Sequence, residues 1–222
     1  MPKAKIQLPS VLKESTWFYK ENEDMLKPFL GKPYISYSTH ESYNNYFEDF
    51  VKQKIAGIKL EGGIYANFGT FTGTYTETGK IPDNPYGFEG LENLKKIPRP
   101  EGAEYERPVV IDLGEVFLIG FIDIFKQEGK KKEEKYKSDD YIQTLLYGYA
   151  LEQEGFEIKE TGVYFIRREN SHVNPPLKVS DEQFYIPLEY STAKAKKAVK
   201  LVEKSAKEIS ELYKTYLKLF KQ

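Results

Sequence analysis

Apolar residues recur at helical spacing in several stretches and continuously in one. Ser38-Thr39-His40-Glu41 reads as a capping box, with the Ser38 hydroxyl and the Glu41 carboxylate serving each other's backbone N–H groups. Tyr43, Tyr46, Phe47, Phe50 and Val51 then follow at helical spacing up to Gly57. A second helix is predicted over Tyr65–Thr78, ended by Gly79, with Gly69 and Gly73 four apart and open to close approach by another backbone. The Pro- and Gly-rich residues 80–103 read as a loop. Tyr105–Leu113 and Val116–Phe125 read as strands joined at Gly114-Glu115. The second of these, VFLIGFIDIF, is almost wholly apolar and is expected to be a central strand buried on both faces.

The lysine-rich stretch Lys126–Lys137 reads as a solvated loop. Ser138 caps a helix over about Asp139–Glu154, which buries Ile142, Leu145, Leu146 and Tyr149 and stops at Gly155. Short strands are expected at Val163–Ile166 and Phe184–Leu188. Ser191 caps a long final helix, Thr192–Phe220, with Val199, Val202, Ile209, Leu212, Tyr216 and Leu219 on one face. Residues 1–34 form a lead-in with a short helix over about Lys13–Leu26. Residues 35–190 form the main domain, and 191–222 a helix packed against it. The alternation of helices and strands indicates an α/β fold, a mixed central sheet flanked by helices.

Composition narrows the chemistry. The 222 residues contain no cysteine, which excludes disulfides, thiolate metal sites, cysteine nucleophiles and iron–sulfur clusters. No apolar run reaches the roughly 20 residues of a membrane span, and MPKAKIQLPS lacks a signal-peptide core, so a soluble cytoplasmic protein is expected. Net charge is −1, and of the 33 basic residues only Arg99, Arg107, Arg167 and Arg168 are arginine. Lysines cluster in the 126–137 loop and along Lys194–Lys207. Such clusters suit phosphate contacts more than bidentate base reading, and they equally suit a solvated helix face.

Asp123 is the residue that the strand pattern does not explain. A carboxylate within an apolar strand is costly unless it is capped or binds a hard divalent cation, and the nearby Gly120 lets another group approach the backbone. Gln143 and Tyr147 lie one helical turn apart on one face, and Glu77 ends the second predicted helix. His40 and His172, the two histidines, are expected in solvent or at caps.

Taken in order, these elements resemble the PD-(D/E)XK nuclease superfamily, in its phage and RecB-like exonuclease branch, related to the CRISPR-associated RecB-like nucleases. The Pro33-Tyr34-Ile35-Ser36-Tyr37-Ser38 lead into an aromatic helix, the helix ending in Glu77, Gly120-Phe121-Ile122-Asp123 and SDDYIQTLLYGYAL over Ser138–Leu151 carry that resemblance. It implies a restriction-endonuclease-like fold, DNA as partner, Mg²⁺ or Mn²⁺ as cofactor, and a role in phage recombination or replication. It also implies cation ligands at Asp123, Glu77 and a second acid. Glu133-Glu134-Lys135 supplies the matching acid-x-Lys spacing, with Glu133 as ligand and Lys135 orienting the attacking water. Gln143 and Tyr147 would position the site, and Lys130, Lys131, Lys132, Lys194 and Lys197 would meet the DNA. The chain departs from the family pattern after Phe125. The apolar strand that should carry the second acid and the lysine is missing, a deficit of about ten residues. Three readings follow: an active nuclease, a non-catalytic DNA- or protein-binding relative, or a chain from which that strand has been removed. Outside the family, Asp123 would be incidental to a purely structural protein.

Overall fold

The computed structural model describes residues 10–45, 63–126, 141–169 and 176–220. Its organising element is the apolar strand. β1 (Tyr34–Ile35) runs parallel to β3 (Phe117–Phe125), with Tyr34 opposite Phe117 and Ile35 opposite Leu118. β2 (Glu104–Asp112) runs antiparallel to β3 on its other side, so β3 is central in a three-stranded sheet. Alternation along β3 sends its side chains into two cores. Leu118 joins Val109 and Ile111 against two helices, α4 (Ile142–Gln153) and α5 (Thr192–Phe220). Phe117 and Ile119 point the other way, onto Leu12, Phe18, Tyr19 and Leu26 of the lead-in.

Burial on both faces holds only for Phe117–Gly120. From Phe121 onward β3 is half-buried, and Asp123 is exposed. β1 pairs with just the first two residues of β3, so the downstream half loses that cover.

A third core lies outside the sheet. α3 (Ile64–Thr78) buries Phe68, Phe71 and Tyr75 against Phe88, Leu94, Leu177 and Val179. This is the physical reason Gly69 and Gly73 do not serve a close approach. The helix seats its aromatic face instead, and a Cβ at either glycine meets no described atom within 4 Å. The loop after α3 contains a 3₁₀ turn, Leu91–Lys96, that plugs Leu94 into this core. β4 (Thr161–Glu169) and β5 (Lys178–Leu188) pair antiparallel as a separate two-stranded sheet. The described strands thus form a mixed α/β architecture in two small sheets rather than one. Among the described residues no helix is long and apolar enough to cross a membrane.

Several local expectations shift. In the lead-in only α1 (Glu23–Leu26) is α-helical, followed by a 3₁₀ turn at Lys27–Phe29; successive turns occupy the residues before it. The capping box of α2 (Tyr37–Asn45) sits at Ser36 and Thr39, not at Ser38 and Glu41. Ser36 N–H donates to Thr39 Oγ1 and Thr39 N–H to Ser36 Oγ, both at 3.3 Å. Ser191 caps α5 as expected, accepting from Lys194 N–H at 3.3 Å. Val199, Val202 and Ile209 of α5 are buried, whereas Leu219 is 67% exposed. A 29-residue helix is about 43 Å long and is longer than the nine-residue strands of about 30 Å.

His40 is not in solvent; it is 8% exposed at the contact of α2 with α5. The Asn44 amide donates to Ser205 Oγ (2.8 Å) and to the His40 carbonyl (2.9 Å), and Ser205 Oγ shares a hydrogen bond with His40 Nδ1 at 2.9 Å. Beside it Tyr43 donates to the Glu208 carboxylate. His172 lies outside the described residues.

Burial lowers the His40 pKa below its ordinary 6.5, with Glu41 opposing in part. The unfolded chain therefore takes up a proton first as pH falls below 6.5, and stability drops through that window. Melting temperatures of the wild type and His40→Asn at about pH 7.5 and about pH 5.5 should show a smaller acid loss in the variant. An equal loss in both would show that His40 carries none of it.

Candidate active site

The downstream half of β3 has the open edge and the odd carboxylate together. Asp123 keeps solvent access along its side chain, yet the protein around its carboxyl raises the pKa by desolvation. The residue opposite in the ladder is Glu106. Tyr105 pairs with Ile124 and Arg107 with Ile122, while the Glu106–Asp123 position between them is not bridged. Glu106 also has φ +52°, the one left-handed non-glycine residue among those described. Such a conformation costs about 1–3 kcal/mol and is kept where surrounding structure imposes it.

The electrostatics explain why these acids belong together. Burial raises the Glu106 pKa first, then the Asp123 carboxylate, then the Glu77 carboxylate. Glu77 arrives from the last turn of α3, which touches both β2 and β3. The adjacent cation is committed elsewhere. Arg107 pairs with Glu104 (2.5 Å) and Glu154 (2.8 Å), and its guanidinium lies over Phe125 (4.5 Å) and Phe156 (5.1 Å). Three carboxylates from a helix and two strands therefore share one neighbourhood, and Asp123 and Glu77 both disfavour charge on Glu106.

α4 supplies the polar pair. Gln143 Nε2 donates to Tyr147 Oη at 2.7 Å, one helical turn apart. The Tyr147 ring crosses β3 at Gly120, where a Cβ would stand 2.4 Å from Cε1. Gly120 is thus the close-approach glycine, and the group that approaches is this ring. The Tyr147 pKa rises to about 12, chiefly through burial and then through Asp123 and Glu106, while Gln143 and the Phe121 backbone hold it back by hydrogen bonding. At neutral pH the group is a neutral hydroxyl pinned between a strand and a glutamine.

The structure brings Asp123, Glu77, Gln143 and Tyr147 into one place. Glu133, Lys135, Lys130, Lys131 and Lys132 lie outside the described residues. Lys194 is engaged with Glu189 at 3.0 Å at the start of α5, and Lys197 is exposed one turn on. Glu106 is the member that residue-by-residue reading missed. The signal was present in the hairpin itself: a turn pairing Leu113 with Val116 sets Glu106 opposite Asp123. Among the described residues no three acidic, histidine or cysteine side chains stand as a ready-made metal shell.

Comparison with protein-family models, with curated proteins and with solved structures gives no match. The chemistry of the site therefore rests on its own residues.

Replacing Glu106 by Asn, which accepts a left-handed backbone and removes one of three like charges, should stabilise the fold by about 1 kcal/mol. Gly120→Ala should destabilise it by about 1–3 kcal/mol by driving the Tyr147 ring off the strand. Urea unfolding at neutral pH checks both, and opposite signs would contradict this account of the site.

Proposed function

We propose that this chain is a divalent-cation-dependent DNA nuclease on a restriction-endonuclease-like fold of the PD-(D/E)XK type, serving phage-like recombination or replication. The observation that supports it is the meeting of Glu77, Glu106 and Asp123 beside the Gln143–Tyr147 pair. The donor set is all oxygen, which suits a hard cation such as Mg²⁺ or Mn²⁺. A carboxyl raised by burial and by two neighbouring carboxylates, as at Glu106, is also what a bound cation would relieve.

In this reading Asp123 on β3, Glu106 opposite it on β2 and Glu77 on α3 would be the residues to hold the cation. When bound, the cation lowers the pKa of a coordinated water and neutralises charge building on the phosphate. Gln143 keeps one amide hydrogen for a phosphate oxygen while the other is taken by Tyr147. Tyr147 remains protonated at working pH, so it fixes the amide without adding a further negative charge. Glu133 and Lys135 complete the reading as second acid and water-orienting cation. The exposed lysines of α5, Lys197 among them, together with Lys130–Lys132, meet the phosphate backbone without reading sequence.

A second reading is a DNA-binding protein of the same fold that does not cut. The exposed lysines along α5, Lys197 and Lys200 among them, favour it.

Mn²⁺-dependent degradation of DNA by the wild type, lost by more than about a hundredfold in Asp123→Ala and strongly reduced in Glu77→Gln and Lys135→Ala, is the expected result. A wild type inert across Mg²⁺, Mn²⁺ and pH leaves the binding reading. That reading in turn requires DNA retention that falls steeply between about 50 mM and about 500 mM salt. Equal retention at both rules out binding through the lysines.

A further inference from the structure

The chain has a single tryptophan, and it is 72% exposed. Trp17 lies in a run of turns closed by Thr16 N–H to Lys13 carbonyl (2.9 Å), Tyr19 N–H to Thr16 carbonyl (2.9 Å) and Asn22 N–H to Tyr19 carbonyl (3.0 Å). Its neighbours Phe18 and Tyr19 are buried, which anchors the backbone on either side of the turn. One face of the indole rests on Phe121, with ring centroids 5.5 Å apart and planes 24° from parallel, and Phe18 meets it edge-on at 5.2 Å. Phe121 is itself only half-buried. It stands two residues, or about 7 Å along the strand, before Asp123, and its backbone bonds the Tyr147 hydroxyl.

Covering Phe121 needs only an apolar side chain. An indole that stacks flat on it and leaves most of its surface in water presents a flat aromatic shelf next to the carboxylate cluster. A flat π surface takes another flat π surface, and every nucleobase has one.

We propose that Trp17, backed by Phe121, is a stacking site for an unpaired nucleobase. It seats the frayed or single-stranded end of a DNA substrate so that the adjoining sugar–phosphate runs toward Asp123, Glu106 and Glu77. The proposal rests on the nuclease reading for its substrate class, and it narrows that class to strands with unstacked bases. The turn carries Lys13 and Lys20 alongside Glu14 and Glu21, so its charges cancel. Attraction at this point comes from the ring, and the phosphates are met elsewhere.

Because Trp17 is the sole tryptophan, its emission reports this position directly in the full-length chain. With EDTA present to suppress any cutting, an oligothymidylate of about twelve nucleotides should quench the emission. An abasic oligomer of the same length and a covalently closed duplex circle should leave it unchanged. Binding of the labelled oligothymidylate, followed by anisotropy, should weaken about tenfold in Trp17→Ala and in Trp17→Leu and hold within about twofold in Trp17→Phe. The leucine variant keeps Phe121 covered, so a loss there is a loss of stacking and not of folding. Equal quenching by the abasic oligomer or the closed circle, no quenching at all, or wild-type affinity in Trp17→Leu would overturn the proposal. Mn²⁺-dependent digestion by the wild type, assayed separately, tells the two claims apart. Digestion without quenching removes the stacking site and leaves the nuclease; quenching without digestion keeps the site and removes the nuclease.

Discussion

Phe117, Leu118 and Ile119 are almost completely shielded from water, and consecutive members of this run point to opposite sides of the sheet. That alternation ties three parts of the chain together. Leu118 anchors the helical layer of α4 and α5, while Phe117 and Ile119 anchor the lead-in. Burying side chains of this kind contributes roughly 1.5–3 kcal/mol each, and β1 and β2 repeat the pattern on either side, with Ile35, Val109 and Ile111 in the helical core and Tyr34 and Val110 against the lead-in. The site depends on it, because the same strand that is rigid at Phe117–Gly120 extends as a half-covered arm to Asp123.

The arm concentrates features that cost free energy. Glu106 sits in a left-handed conformation, three acids crowd together, and a ladder position goes unbridged. Each is tolerable because its supports are stiff. β2 and β3 hold register on either side of the gap, and Tyr147 is wedged across Gly120. Unfavourable groups are thus held in place by well-packed neighbours at one end of a sheet. Arg107 shows the same separation of roles. Its charge is spent on Glu104, Glu154 and two aromatic rings, which binds β2 to α4 rather than to the acids next door.

Elements with strong local signals are legible in the sequence. α5 occupies Thr192–Phe220 as its apolar stripe and Ser191 cap indicate, and α3 and the β2–β3 hairpin lie within a residue or two of their expected bounds. Weak signals mislead where contact decides the outcome. The aromatic-rich lead-in has helical spacing, yet covering Phe117 and Ile119 draws Leu12, Phe18 and Tyr19 into turns. Gly69 and Gly73 have the spacing of a close contact, but the aromatic face of α3 takes the core. His40 is polar and therefore expected outside, whereas Asn44 and Ser205 satisfy it inside.

Residue type alone marks Asp123, a carboxylate in an apolar strand, whereas Glu77, Gln143 and Tyr147 stand out only through the resemblance to the nuclease superfamily. Which acids meet is a matter of tertiary structure. Glu77 comes within electrostatic reach of Glu106 because α3 packs its aromatic face into the fold and touches β2 and β3. Trp17 joins the same neighbourhood from more than a hundred residues away, because the burial of Phe18 and Tyr19 anchors its turn. Local chemistry follows from side-chain type and spacing along the chain. Proximity between distant segments follows from which faces bury together, and only the packed fold determines that.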